Sequence, residues 1–266
     1  MPVDLLDPHA ATAALASLAP SAIYHLAGAA HVGESWSEPA RALRSNVMGT
    51  HHVLEGARAA RLTCPILVTG SALVYSQSPE PIDEHYPLGP ASPYGVSKLA
   101  QEMLARRARD LRVVVARPFN HAGPRQDDTF STSSFARQIA EIEAGLREPV
   151  LRVGNLSARR DITDVRDVVR AYRLLVERGQ PGRVYNVCSG RACRVGDLLE
   201  MLVAMSRASI RVETDPARLR PSDNPIVLGD HRRITAEVGW SPEIPIQTTL
   251  RDLLAYCRER TAAGAP

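Results

Sequence analysis

The stretch "PILVTGSALVYS", residues 65–76, decides the fold. A short apolar run that stops abruptly at Thr69, Gly70 and Ser71 reads as a buried strand, because a strand covered on both faces need not alternate polar and apolar residues. Outward from it, "AIYHLAG" (22–28) and "RVVVARPFN" (112–120) repeat the texture, and "VYNVCSG" (184–190) repeats it again. Between these runs, "PARALRSNVMGTHHVLEGARAAR" (39–61), "GVSKLAQEMLARRARD" (95–110) and "DVRDVVRAYRLLVERG" (164–179) carry helical periodicity. Strand alternating with helix implies an α/β chain with a doubly wound parallel sheet. Ligands of such sheets sit beyond the carboxyl ends of the strands. Gly28, Ser71 and Asn120 end three of the strands and are therefore expected to line one crevice.

After residue 121 the texture changes. "HAGPRQDDTFSTSS" is a polar loop and "FARQIAEIEAG" (135–145) a helix closed by Gly145. The helix "VGDLLEMLVAMS", the loop "DPARLRPSDNP" and a last helix beyond "GWSPEIPIQTTL" follow. We expect residues 1–121 and 161–190 to form the main domain, with 122–160 and 191–266 as a smaller lobe over its crevice.

With 32 Lys and Arg against 29 Asp and Glu, the net charge of +3 supplies no general attraction to nucleic acid or membrane. Any anion site must come from a few placed arginines. No apolar run approaches the ~20 residues that span a bilayer, and "MPVDLLDPHA" has no signal-peptide pattern. Cys64, Cys188, Cys193 and Cys257 form no CxxC pair, and the neighbours His51 and His52 point to different parts of a helix surface, so no metal site is expected. These features predict a soluble cytoplasmic protein without metal.

"SPYGVSKLAQE" (92–102) holds the chemistry. Tyr94 and Lys98, four apart, share one helix face. An ammonium beside a phenol favours the phenolate, so the pair can exchange a proton near neutrality, and the ammonium can also donate to ribose hydroxyls. The plainer alternative is a surface pair. Ser71, at a strand end on the same crevice, could bond a substrate carbonyl while Tyr94 protonates it; its plainer role is to cap the following turn.

"HLAGAAHVGESW", "SNVMGT", "SPYGVSK", "ARPFNHAGP", "RRDITDVRDVVRAY", "VYNVCSG" and "DPARLRPSDNP" together resemble the extended short-chain dehydrogenase/reductases that act on nucleotide sugars. Within them the chain is most similar to the branch of the GDP-mannose 4,6-dehydratases and GDP-4-dehydro-6-deoxy-D-mannose reductases, from residue 4 to about 258. The resemblance implies a Rossmann-like domain, NADP(H) or NAD(H) as cofactor, a GDP-sugar substrate, and a homodimer in which helices 39–61 and 95–110 pair as a four-helix bundle. It implies that Tyr94 donates the proton, Lys98 holds the nicotinamide ribose and Ser71 orients the 4-keto oxygen. Asp4 and Leu5 would border the adenine, and Ala27, Gly28 and Ala29 would let the backbone approach the cofactor; tight helix packing explains the same small residues. Asn46 and His121 match positions near the cofactor. Asn120 would contact the nucleotide sugar, Arg160 and Arg220 would grip the diphosphate, and Asp223 would accept from ribose hydroxyls.

Two positions depart from the pattern. Leu73 stands where the dehydratases carry the glutamate that removes the C5 proton, and a leucine cannot exchange one. The glycine-rich turn that cradles pyrophosphate is also absent, as is the strand–helix–strand unit that relatives place before "VDLLD". The expectation is a fragment of a longer product whose "AIYHLAG" strand lacks a ladder partner. Three readings stay open: a GDP-sugar 4-keto reductase, a nucleotide-sugar dehydratase or epimerase, and a GDP-sugar binder without catalysis.

Overall fold

The computed structural model describes residues 2–219 and 224–264. In chain order its elements are α1 (Pro8–Leu18), β1 (Ile23–His25), α2 (Val32–Ser37), α3 (Pro39–Leu43), α4 (Gly49–Ala59), β2 (Ile66–Thr69), α5 (Pro93–Arg107), β3 (Val113–Pro118) and β4 (Asn120–Ala122). There follow α6 (Ser131–Glu143), β5 (Val150–Val153), β6 (Arg159–Asp164), α7 (Val165–Arg178), β7 (Val184–Val187), β8 (Ala192–Arg194), α8 (Val195–Ala204), β9 (Arg211–Thr214), β10 (Ile226–Val227), α9 (Arg232–Val238) and α10 (Ile246–Ala262).

The main sheet runs β1-β2-β3-β7, and all its pairs are parallel. Both faces are covered, which is why the runs Ile66–Val68 and Val113–Ala116 are apolar without alternation. On one face Leu54, Ala57 and Ala105 of α4 and α5 meet Ile66, Val68, Val113 and Val115. On the other, Leu67, Val114, Ala116 and Tyr185 meet Val168, Ala171 and Leu175 of α7. Ile234, Val238 and Trp240 join that second cluster. Residues 232–240, grouped with the smaller lobe on sequence, thus pack on the main sheet, because Trp240 is apolar enough to complete its core. The lobe has its own core of Phe135, Ile139, Leu151, Leu198, Leu202 and Leu250 from α6, β5, α8 and α10. β4 and β6 pair beside the main sheet, with β10 and β8 against β6. Among the described residues no helix is long and apolar enough to cross a membrane.

Three local features position the crevice. Ser92 caps α5 by accepting from the Gly95 amide, and Pro93 takes the first helical position, so Tyr94 sits at a fixed helix start. Among the described residues β1 stands at the edge of the sheet, with Tyr24 in it and Leu26 just after it exposed. The predicted helix 39–61 is interrupted by a π-helical turn at Arg44–Met48. That turn leaves Asn46 fully buried, where its amide nitrogen donates to the Ala29 carbonyl and to Ser97 Oγ. Helical periodicity alone does not distinguish such a turn.

Candidate functional site

The residues expected to react converge where β2 ends and α5 begins. Ser71 Oγ accepts from the Leu73 amide at 3.1 Å, so it does cap the short 3-10 turn Ala72–Val74. Its hydroxyl also meets the Tyr94 phenol. Ser71 thus caps the turn and at the same time touches the phenol. Tyr94 is held by its backbone, its amide donating to Ser35 Oγ at 3.1 Å. Lys98, only 5 % exposed, donates to the Thr69 carbonyl and to Gln101 Oε1, each at 2.9 Å.

One electrostatic expectation is reversed. Burial pushes the Tyr94 phenol above its ordinary value, and the bond to Ser71 recovers only part of that shift. The Lys98 nitrogen lies 5.9 Å from the centre of the Tyr94 ring, and burial brings its own ammonium down to about 8. A desolvated phenolate is costly in a crevice, and an ammonium at that distance with two donors committed elsewhere does not offset the cost. A protonated phenol is the form that a proton donor requires.

Gly28 and Asn46 form the floor beside Lys98. Gly28 has φ +155°, and a Cβ there would stand 2.2 Å from Asn46 Oδ1 and 3.9 Å from the Lys98 nitrogen. Only glycine allows that approach. Asn46 Oδ1 is buried with no hydrogen-bond partner. A small-residue cradle, an orphaned acceptor and an ammonium at one spot suit the ribose diol of a nicotinamide cofactor. Asp4 and Leu5 lie in the segment before α1. The Asp4 carboxylate accepts from the Leu6 amide, while the Leu5 carbonyl meets His52 Nδ1 at 2.7 Å. Leu5 and Ala27 line a cavity of about 210 Å³ there. Ala29 contributes its carbonyl to Asn46.

Asn120 and His121 stand on β4, opposite Ile162 and Thr163 of β6, with Asn120 exposed. His121 is exposed, with Nδ1 3.3 Å from the Phe119 carbonyl, and the protein around it depresses its imidazole below the ordinary value, against that carbonyl. Arg160 donates to its neighbour's carbonyl and, at 2.7 Å, to that of Asn224. Arg220 and Asp223 lie outside the described residues. A cleft of about 440 Å³ beside Asp83, Gly190 and His231 contains none of the expected site residues, so size does not mark the reacting centre.

Sequence reasoning missed the support beneath the site. Glu102, two turns after Tyr94 on α5, accepts both forks of Arg117 at 2.7 and 2.6 Å, with the two residues 1 % and 2 % exposed. Arg117 also donates to the Tyr75 hydroxyl, which donates in turn to Asn186 Oδ1, both at 2.7 Å. This chain ties α5 to β3, to the turn after Ser71 and to β7. "ARPFN" signals a strand with an arginine inside an apolar run, and an arginine there needs a buried anion; that was the readable sign.

The GDP-mannose 4,6 dehydratase family model matches residues 1–253. The chain is similar to the GDP-6-deoxy-D-mannose reductase of Pseudomonas aeruginosa, 41% identical over 97% of this chain and 86% of that protein. It is 28% identical to the GDP-mannose 4,6-dehydratase of Vibrio cholerae serotype O1, over 98% of this chain and 79% of the relative. The structure of RMD from Pseudomonas aeruginosa complexed with NADPH superposes with a TM-score of 0.92 at 39% identity, covering 98% of this chain and 88% of that one.

Proposed function

The chain belongs to the GDP-mannose 4,6-dehydratase family, and on that footing we propose that it reduces the 4-keto group of GDP-4-dehydro-6-deoxy-D-mannose to GDP-D-rhamnose with NADPH or NADH. The observation that carries this reading is Leu73, in the turn directly after Ser71. In the dehydratases the resemblance puts a proton-abstracting glutamate there, and a leucine removes that step. Reduction of a ketone by a nicotinamide hydride asks of the protein only a proton donor and a carbonyl clamp, roles that Tyr94 and Ser71 would fill. The greater identity to the reductase than to the dehydratase supports the same choice.

In this reading Ser71 Oγ donates to the 4-keto oxygen and Tyr94 gives that oxygen its proton as it becomes an alkoxide. The raised phenol ensures that the proton is there to give. Lys98, Asn46 and the Gly28 backbone would hold the nicotinamide ribose, with Ala27, Ala29 and His121 beside it and Asp4 and Leu5 toward the adenine. A bound reduced nicotinamide supplies the hydride. Asn120 would orient the sugar, Arg160 and Arg220 would bind the diphosphate, and Asp223 the ribose. Forked guanidinium groups suit phosphate oxygens better than point charges do.

The proposal extends to a homodimer. α3 and α4, continuous through the π-turn, both pack along α5, and Leu43, Met48, Val96 and Met103 of these segments are exposed, apolar surface that a second copy would cover as a four-helix bundle. Sedimentation velocity at micromolar concentration tests it. For the reaction, the decisive measurement is loss of NADPH absorbance with GDP-4-dehydro-6-deoxy-D-mannose, with the product sugar identified. Formation of GDP-D-rhamnose is the expected result. Loss of water from GDP-mannose by the unaltered chain would overturn the reductase assignment.

A further inference from the structure

Of the 32 lysine and arginine residues, Lys98 is the only lysine. An arginine does not deprotonate in proteins, whereas a buried lysine's charge and aim depend on its acceptors. Its ammonium has three donors. Thr69 and Gln101 accept two of them, and among the described residues the third has no protein acceptor. That third donor shares the space around Gly28 with the orphaned Asn46 Oδ1.

The orientation of Gln101 follows from counting protons. The Thr50 hydroxyl spends its one proton on the Asn46 carbonyl at 2.7 Å. Its oxygen can then only accept, and it does so from Gln101 Nε2 at 2.7 Å and from His25 Nε2 at 2.8 Å. His25 therefore carries its proton on Nε2. Burial, with the Lys98 charge second, pushes the imidazole down to about 4 and keeps it neutral. A flipped Gln101 amide would set its NH2 against the ammonium and its oxygen against an oxygen with no proton to give. The carbonyl must face Lys98. An amide in the middle of the chain neither releases nor gains a proton at neutral pH, so this path from β1 to the crevice is a brace and carries no proton.

We propose that Gln101 is a positioning residue: backed by Thr50 and His25, it holds the Lys98 ammonium so that one N–H stays directed at a ribose diol in the crevice. This rests on the reading of Lys98 as the group that holds the cofactor ribose. Among the described residues the titratable groups around Lys98 are His25 from β1, Tyr94 on its own helix and, behind Thr69 and Tyr94, Tyr172 from α7; Thr69, Asn46 and Thr50 from β2, the π-turn and α4 carry no charge.

The test uses the full chain grown with ¹³Cε-lysine, in which the single lysine gives a single resonance. Its shift is followed against pH in the parent, in the isosteric Gln101→Glu and in Gln101→Met, which keeps chain length and packing. Gln101→Glu should raise the Lys98 midpoint by about one unit or more, and Gln101→Met should lower it by about one unit, the scale set by one charged hydrogen bond. Gln101→Met should also weaken NADPH binding, read by its fluorescence, about tenfold while leaving GDP affinity unchanged. A Lys98 midpoint that is the same in all three proteins would overturn the proposal. Because the titration needs no turnover, its result is independent of whether the reductase reaction is found.

Discussion

Removing Arg117 tests whether the buried pair under the site holds it together. In Arg117→Met the long side chain is replaced by one of similar reach without charge, and Glu102 keeps its place at 1 % exposure. Stranding one member of a buried pair costs about 3–5 kcal/mol. Two local facts favour the lower end of that range. Arg106 stands 3.6 Å from Glu102 Oε1 and, being half-exposed, can move closer. Tyr75 loses one donor and the guanidinium stacked 4.6 Å from its ring, but keeps its bond to Asn186. We therefore expect about 3 kcal/mol, seen as a lower urea midpoint at an unchanged slope. The double variant Glu102→Leu with Arg117→Met removes the stranded charge and should recover most of that loss, since an apolar replacement of a buried pair is often neutral. A loss below about 1 kcal/mol in the single variant, or a double variant no better than the single, would refute the reasoning.

Tyr94→Phe should abolish reduction while GDP affinity stays as it was, since only the proton donor is gone; equal loss of GDP binding in calorimetry would assign Tyr94 to the binding surface instead. The pH profile of kcat/KM for NADPH should fall with rising pH on its alkaline side. Burial lowers Lys98 to about 8, so its ammonium is present below that pH and lost above it, by about tenfold per unit once the midpoint is passed. A profile that stays flat across that midpoint would separate Lys98 from cofactor binding.

The sequence determined the parallel sheet by itself, because β2 and β3 carry apolar runs with no polar alternation, as strands buried on both faces do, and helical stretches alternate with them. It also determined that Tyr94 and Lys98 share a face, since a helix leaves no other arrangement at a spacing of four. What surrounds them was decided by tertiary structure. The phenol's upward shift comes from burial, and burial depends on residues far apart in the chain. No break in the α-helical periodicity of the sequence marks the π-turn that buries Asn46. Thr50, Gln101 and His25 meet only when α4, α5 and β1 pack, their hydrogen-bonded partners standing 51 and 25 positions apart in the chain. Arg117 could be read as an arginine in need of an anion, but that the anion would be Glu102, on the helix that carries Tyr94, follows from how α5 lies across β3. Local spacing sets which groups a helix or strand presents; their charge state and aim belong to the neighbours that exclude water from them.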